Sequence, residues 1–479
     1  MSITIVGLGS GSVDDITRRA WHILESAETV YLRTRHYPCV DQLPNNGQYR
    51  DFDDLYSENN ISDVADAIVA QLLVAAQQGD VVYAVPGDPM VGDGPTQLLL
   101  AQSDVAVEIV HGVSFIEPVL HQAGIDATDG LQVFDGMLLA TMHHPPINPQ
   151  YPALVASIFN QTMASDVKLT LLNQYPDEFA VTLVHGLGED ALVEKVALHQ
   201  MDQSDHLNHL TTLYVPALGE YTSFEAFQEI IAHLRAPEGC PWDRKQTHES
   251  LRPYLIEEAY EVLDTIDKGE TQELAGELGD LLLQIVLHAQ IAVDDGEFYM
   301  TDIMDRINRK MIRRHPHVWG NVDVDGDPNQ VVSNWEAIKK TEKADNGQSA
   351  QGLLDSIPMG APALWVAHKF QNKVAQVGFD WPDVTGVEDK FREEMQEIFE
   401  ATDPEHKAQE IGDLIFVMVN WLRWLGVDDP ETLLRSINQK FYNRFTYIEK
   451  QAAAQNRALN EMTLEEMDAI WNRAKENGL

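Results

Sequence analysis

Between Leu251 and Ile266, apolar residues recur at helical spacing (Leu251, Leu255, Ala259, Val262, Ile266), and the spacing returns at Leu274, Leu278, Leu281 and Ile285. The pattern predicts two amphipathic helices joined by the short turn Asp267-Lys268-Gly269-Glu270. So short a connection favours antiparallel packing. Another helix is predicted from Glu220 to Leu234, with Phe224, Phe227, Ile231 and Leu234 on one face. The amino-terminal part has a different rhythm. ITIVGL at 3–8 is a short apolar run that enters the turn Gly7-Leu8-Gly9-Ser10-Gly11 and then a helical pattern from Asp15 to Ala27. A second run from Val81 enters Pro86-Gly87-Asp88-Pro89, and VAVEIVHGVSF, KLTLLNQY, FAVTLVHGLG and DALVEKVAL continue the alternation to about Pro216. The expected architecture is an α/β domain of two lobes over 1–217, then an all-α region of two helical-bundle repeats, 218–345 and 353–479. The polar stretches 323–328 and 343–352 read as surface loop and linker.

Carboxylates sit beside the apolar stripes. On the first predicted helix Glu258 and Glu261 are three residues apart and Glu257 and Glu261 four apart; on the second, Glu277 and Asp280 are three apart. Like charges at this spacing weaken an isolated helix by about a few tenths of a kcal/mol per pair, so the arrangement points to a compensating cation. In an antiparallel pair the two sets converge, and an oxygen-only cluster suits Mg²⁺ or Mn²⁺. The pattern then repeats, with Glu393, Glu394 and Glu397 on one predicted helix and Glu410 and Asp413 on the next. Basic and aromatic positions follow in the same order: Lys310 and Arg314 match Lys440 and Arg444, and Trp335 matches Trp471. An ordered set of this kind is an internal duplication, harder to attribute to composition than any single ExxE.

Charge sharpens the reading. The 479 residues include 76 acidic against 33 basic side chains, a formal net charge of −43. This argues against nonspecific binding to nucleic acid or to an anionic membrane. A polyanionic substrate would be repelled at long range, so its site needs metal and local cations, for which Lys310, Arg314, Lys440 and Arg444 are the candidates. Lys390 precedes the second EExxE where the first copy has Tyr254, and adds a cation for a polyanion there. Trp335 and Trp471 are candidates to stack on a base. Cys39 and Cys240 fall in different predicted domains, which argues against a disulfide scaffold. The chain opens on a strand-like run without the marks of a signal peptide, and no uninterrupted apolar run approaches the roughly twenty residues of a membrane helix. A cytoplasmic location is expected.

The stretch GCPWDRKQTHESLRPYLIEEAYEV, followed by ELGDLLLQ, resembles the MazG family of nucleoside triphosphate pyrophosphohydrolases. The second copy, with IPMGAPAL, VGFDWPDV, EExxE and ExxD, resembles that family's other half. The resemblance implies Mg²⁺-dependent hydrolysis of a nucleoside triphosphate to monophosphate and pyrophosphate, a house-cleaning of the nucleotide pool. It implies Glu258, Glu261, Glu277 and Asp280 as metal ligands, Glu257 as general base or further ligand, and Lys310 and Arg314 on the phosphates. The second set is Glu394, Glu397, Glu410, Asp413, Lys440 and Arg444, with Glu393 in place of Glu257. Near the amino terminus, the turns bearing Gly7, Gly9 and Gly11, then Pro86-Gly87-Asp88-Pro89, then Ser114 in HGVSF, resemble the tetrapyrrole methylase family. Its members bind S-adenosylmethionine between two α/β lobes, which implies Gly9, Gly87, Asp88 and Ser114 as cofactor contacts. Ser10 stands where that family usually has proline. Methyl transfer by the amino-terminal domain is therefore the alternative activity, and a non-enzymatic assembly role for the helical half a third reading. Two helices cannot bury the apolar faces these repeats expose, so four-helix bundles and a homodimer through the helical domains are expected.

Overall fold

The computed structural model describes residues 2–44, 48–58, 61–102, 105–186, 191–345 and 352–479. They fall into two compact units, Met1–Asp302 and Ile303–Leu479. The first opens with β1 (Ser2–Gly7), β2 (Thr29–Leu32), β3 (Gln48–Asp51), β4 (Val81–Val85) and β5 (Ala106–Val110), a parallel sheet in the order β3-β2-β4-β1-β5. Ile3, Ile5 and Val6 of β1, an interior strand, are fully buried, as a parallel strand covered on both faces requires. A second, mixed sheet follows, built from β6 (Gln132–Asp135), β7 (Ala153–Ala156), β8 (Ala180–His185), β9 (Leu192–Ala197) and β10 (Thr211–Val215) in the order β6-β7-β10-β8-β9. The first half of the run KLTLLNQY, Lys168–Leu171, belongs to a helix, Gln161–Leu171, whose buried Ala164, Val167 and Leu171 keep helical spacing.

The loops leaving β1, β4 and β5 close on one another through glycines. Gly87 N donates to Gly9 O at 2.9 Å and Gly9 N to Gly87 O at 3.3 Å. A Cβ on either Gly7 or Gly112 would lie 2.5 Å from Gly87 O, where no side chain fits. Only glycine lets the three loops meet at the carboxyl ends of the strands, the usual place for a ligand in such a sheet.

The helical region starts with α1 (Phe224–Arg235), which begins at Phe224 rather than Glu220 because the Ser223 hydroxyl caps it, accepting from Ala226 N at 3.0 Å. A hairpin follows, α2 (Arg252–Lys268) and α3 (Thr271–Asp295). Gly269, at φ +72°, ends α2 in the left-handed conformation that stops a helix in one residue. α3 packs against both α1 and α2. By length and average composition alone, α3 is long and apolar enough to cross a membrane, the one such helix among the described residues. Glu273, Glu277 and Asp280 interrupt its apolar run without lowering the mean far enough.

α4 (Met300–Arg314) and α5 (Pro328–Asp345) come next, and then α6 (Ala363–Ala375), α7 (Val384–Glu400), α8 (Pro404–Trp424), α9 (Pro430–Ala454) and α10 (Leu464–Glu476). The polar stretch 343–352 lies mostly outside the described residues. α7 and α8 form a hairpin like α2 and α3, with Asp403 capping α8 through a bond from His406 N at 3.0 Å. α6 packs against α8 and α9, and α10 closes on α9 around Ile448, Ala452, Met462 and Ile470. α4 is tied to α5 by Arg313 and Arg314, whose guanidinium groups reach Glu342 at 2.7 and 2.6 Å. The hydrogen bonds from Arg314 and then Arg313 hold the Glu342 carboxyl down to about 2. A carboxyl lowered on folding adds stability above its ordinary value of 4.5, and that stability is lost as pH falls from 4.5 toward 2. Glu342→Gln is therefore expected to lower Tm by on the order of 5 °C at pH 7, with the gap to the parent closing below pH 4.5. Thermal unfolding followed by circular dichroism across that range checks it; a gap at pH 2.5 as large as that at pH 7 rules it out.

Candidate functional site

The hairpin geometry brings acidic groups from neighbouring helices together in both copies. Carboxylate oxygens of Glu258 and Glu261 on α2 and Glu277 on α3 lie within 4.8 Å of one another, and those of Glu394 and Glu397 on α7 and Glu410 on α8 do the same. Burial, and after it the charges of Asp280 and Glu261, raise the Glu258 carboxyl above its ordinary range. Desolvation followed by Glu261 and Asp280 raises Glu277; in the second copy, desolvation followed by Glu410 and Glu394 raises Glu397. Asp280 thus acts on its cluster from just outside it. Asp413 is exposed and stands outside the second trio, as exposed Glu257 stands outside the first.

The two trios differ in what surrounds them. Among the described residues the first has no cationic partner, and its support is Gln284, whose Nε2 donates to Glu258 Oε1 at 3.4 Å. In the second, Lys390 Nζ lies 2.9 Å from Glu393 and 2.8 Å from Glu394, and His406 Nε2 lies 2.9 Å from Glu410. Glu394 is only 4% exposed and its Oε2 is buried without a partner. All-oxygen donor sets with an unpaired buried carboxylate oxygen fit a hard divalent ion.

The remaining predicted cations and aromatics have other partners. Arg314 is held by Glu342 and lies over the Trp335 ring at 5.1 Å, and Arg444 lies over Trp471 at 5.5 Å. The repeated arginine-on-indole stack supports the duplication and gives both arginines a partner besides the phosphates expected for them. Lys339 also sits over Trp335, at 5.5 Å, and Phe441 packs on Trp471 at 5.2 Å, while both indoles stay partly exposed. Lys310 and exposed Lys440 make no ion pair among the described residues. The CPWD and QTH lead-in also has a structural account that sequence did not supply. Arg235 on α1 donates to Asp243 O at 2.5 Å and pairs with Asp294 on α3 at 2.6 Å, while His248 and His288 meet Nδ1 to Nδ1 at 2.7 Å. Together they pin the lead-in onto α1 and α3.

In the amino-terminal domain a cavity of about 170 Å³ opens between the two sheets, lined by Arg33, Tyr37, Pro86, Gly87, Asp93 and Phe115 from one side and Ser157, Thr211 and Thr212 from the other. Of the four predicted cofactor contacts only Gly87 lines it. Asp88 serves instead as a brace, Oδ1 accepting from Met90 N at 2.8 Å and Oδ2 meeting Gly112 N at 3.2 Å and His111 Nδ1 at 2.9 Å. The Ser114 hydroxyl accepts from Ile116 N at 3.0 Å and donates to Glu117 at 2.5 Å, and Gly9 is spent on Gly87. Sequence reasoning missed Arg33, which follows β2. Its Nε lies 3.7 Å from Asp93, and its Nη1 is buried with no partner.

Comparison with known proteins agrees with this division. The family model for the MazG nucleotide pyrophosphohydrolase domain matches residues 246–319, and that for tetrapyrrole (corrin/porphyrin) methylases matches residues 2–197. The uncharacterized protein YabN of Bacillus subtilis is 41% identical over 488 residues, covering 99% of this chain and 98% of its own. The nucleoside triphosphate pyrophosphohydrolase/pyrophosphatase MazG of Thermotoga maritima is 45% identical over 252 residues, 53% of this chain and 95% of its own. The nucleoside triphosphate pyrophosphohydrolase of Escherichia coli is 42% identical over 252 residues, 51% of this chain and 94% of its own. Since relatives align along nearly their whole lengths, and both paired-carboxylate hairpins and the two-sheet domain are in place, the chain belongs to the MazG family of nucleoside triphosphate pyrophosphohydrolases, in a form that carries a tetrapyrrole methylase domain ahead of its helical half.

Proposed function

We propose that the helical half hydrolyses nucleoside triphosphates to monophosphate and pyrophosphate, clearing unwanted members of the nucleotide pool, with Mg²⁺ or Mn²⁺ held by Glu258, Glu261 and Glu277 and by Glu394, Glu397 and Glu410. The observation that carries this reading is the meeting of three carboxylates from two helices, in both copies, within 4.8 Å. A bound divalent ion supplies an acidified water and positive charge against the phosphates. The chain's own residues do the rest. Gln284 fixes one oxygen of Glu258; Glu257 and Glu393, exposed beside the trios, are placed to take a proton from water. Asp280 and Asp413 extend the acidic rim as outer ligands. Lys310, Lys390 and Lys440 offer ammonium groups to phosphate oxygens. Arg314 and Arg444 brace Trp335 and Trp471 as walls of the base site.

A homodimer is part of this reading. Leu278, Leu282 and Ile285 on α3 are 48%, 38% and 42% exposed, and the matching Ile411, Ile415 and Met418 on α8 are 45%, 46% and 48% exposed. Both copies therefore present the same unburied stripe at i, i+4 and i+7, suited to pairing in a four-helix bundle.

The cavity between the sheets favours a second reading, binding of S-adenosylmethionine by the amino-terminal domain. The unpartnered Arg33 Nη1 suits a carboxylate, and the backbone at Gly87 and Gly92, with no Cβ, leaves room for a flat ring beside Phe115. Asp88 acts through the loops it braces.

Three outcomes are expected. Glu258→Gln with Glu261→Gln reports on the first copy and Glu394→Gln with Glu397→Gln on the second. All four together reduce pyrophosphate release, resolved by chromatography, by about 10²-fold or more and abolish thermal stabilisation by Mg²⁺. Undiminished release in the four-site variant rejects these carboxylates as catalytic. Leu282→Glu with Ile415→Glu should shift sedimentation velocity toward the monomer, and an unaltered coefficient excludes these stripes from the interface. Calorimetry with S-adenosylmethionine should show saturable heat that Arg33→Ala weakens by about tenfold, as loss of a charge-assisted bond implies; absence of heat with the parent chain removes the second reading.

A further inference from the structure

The two carboxylate trios are alike in their acids and unlike in their cations. At the position where the second copy has Lys390, the first has Tyr254, a neutral side chain that is 39% exposed. Lys390 bridges Glu393 and Glu394 at 2.9 and 2.8 Å, using Glu394 Oε1 and leaving the buried Oε2 unpaired. We propose that the copies take up divalent ions under different conditions, the first directly and the second together with a triphosphate, because Lys390 holds the second trio until phosphate oxygens draw it away. This rests on the metal-dependent reading above and goes beyond it, by assigning Lys390 a part in coupling ion to substrate.

The physical argument is one of competing partners. An ammonium seated on Glu394 satisfies part of the demand for positive charge that the trio creates, so an arriving ion must displace it or remain beside it. Displacing it breaks an ion pair whose carboxylate is almost wholly buried, a costly step when nothing replaces the lost partner. Leaving it in place sets two cations side by side. A triphosphate resolves the conflict, since its oxygens give the ammonium a new partner while the carboxylates turn to the ion. By linkage, whatever the triphosphate does for the ion, the ion does equally for the triphosphate. In the first copy no lysine stands in the way.

The experiment is a Mn²⁺ titration of the full chain read by electron paramagnetic resonance, with Glu261→Gln and Glu397→Gln assigning each ion to its copy. Without nucleotide, the first copy binds Mn²⁺ more tightly than the second, by on the order of tenfold. Lys390→Met tightens the second site by a similar factor and leaves the first unchanged, whereas Lys390→Arg keeps the second weak, which separates the loss of charge from damage to the fold. With a saturating α,β-methylene nucleoside triphosphate, the difference between parent and Lys390→Met at the second site collapses. Equal affinities in the parent, or a second site indifferent to Lys390→Met, overturn the proposal while leaving the hydrolase reading intact. No Mn²⁺ bound by either copy overturns both.

Discussion

Apolar packing forces like charges together in this chain, and the rest of its chemistry follows from that conflict. Buried residues on the hairpins, such as Val262 on α2 and Val286 on α3, each contribute roughly 1.5–3 kcal/mol when withdrawn from water. Repulsion between like charges one turn apart on a solvated helix is only about a few tenths of a kcal/mol per pair. Packing therefore wins, the hairpin closes, and the acids on its rim are held within 4.8 Å of one another. The raised Glu258, Glu277 and Glu397 carboxyls are the residue of that contest. A fold whose packing holds such a demand for positive charge in place is preorganised to bind a cation.

Duplication gave this arrangement two histories. The second copy sets Lys390 and His406 against its acids, and the first has Gln284 as its described support. Outside the trios the copies have stayed closer. Each sets an arginine over an indole, Arg314 on Trp335 and Arg444 on Trp471, and each leaves the same three-residue apolar stripe uncovered. A guanidinium is suited to such a place, being planar, always charged and weakly hydrated. What has changed between copies is the charge facing the site; what has persisted is the frame behind it.

The helices and the trios were legible because helical periodicity puts i and i+3 on one face, and a short glycine turn leaves two helices little choice but to pair. Glu258, Glu261 and Glu277 could thus be placed from spacing alone. The fate of the arginines could not, because Glu342 lies 28 residues beyond Arg314 and no local pattern marks it as the partner. The amino-terminal turns show the same division. Glycines at 7, 9, 87 and 112 advertised a close approach, yet sequence could not say that the approach is of backbone to backbone. The bracing of the loops by the Asp88 carboxylate had no sign in the sequence, and Arg33 was overlooked because a lone arginine after a strand carries no signature until the second sheet is folded over it.

The net charge of −43 bears on all of this through distance. Repulsion of a polyanion by surface acids is screened within about 10 Å at 0.1 M salt, so it governs the approach of substrate more than its binding. Inside that distance only the groups lining the site matter, and there the chain supplies few positive charges of its own. Most of its described arginines are already paired with carboxylates, Arg314 with Glu342, Arg235 with Asp294 and Arg423 with Asp380 among them. On the proposed reading, a triphosphate is held where an ion has been collected first or arrives with it. The acidity of the chain, which looks hostile to such a substrate, would then make the ion a condition of binding and confine the nucleotide to the places where carboxylates converge.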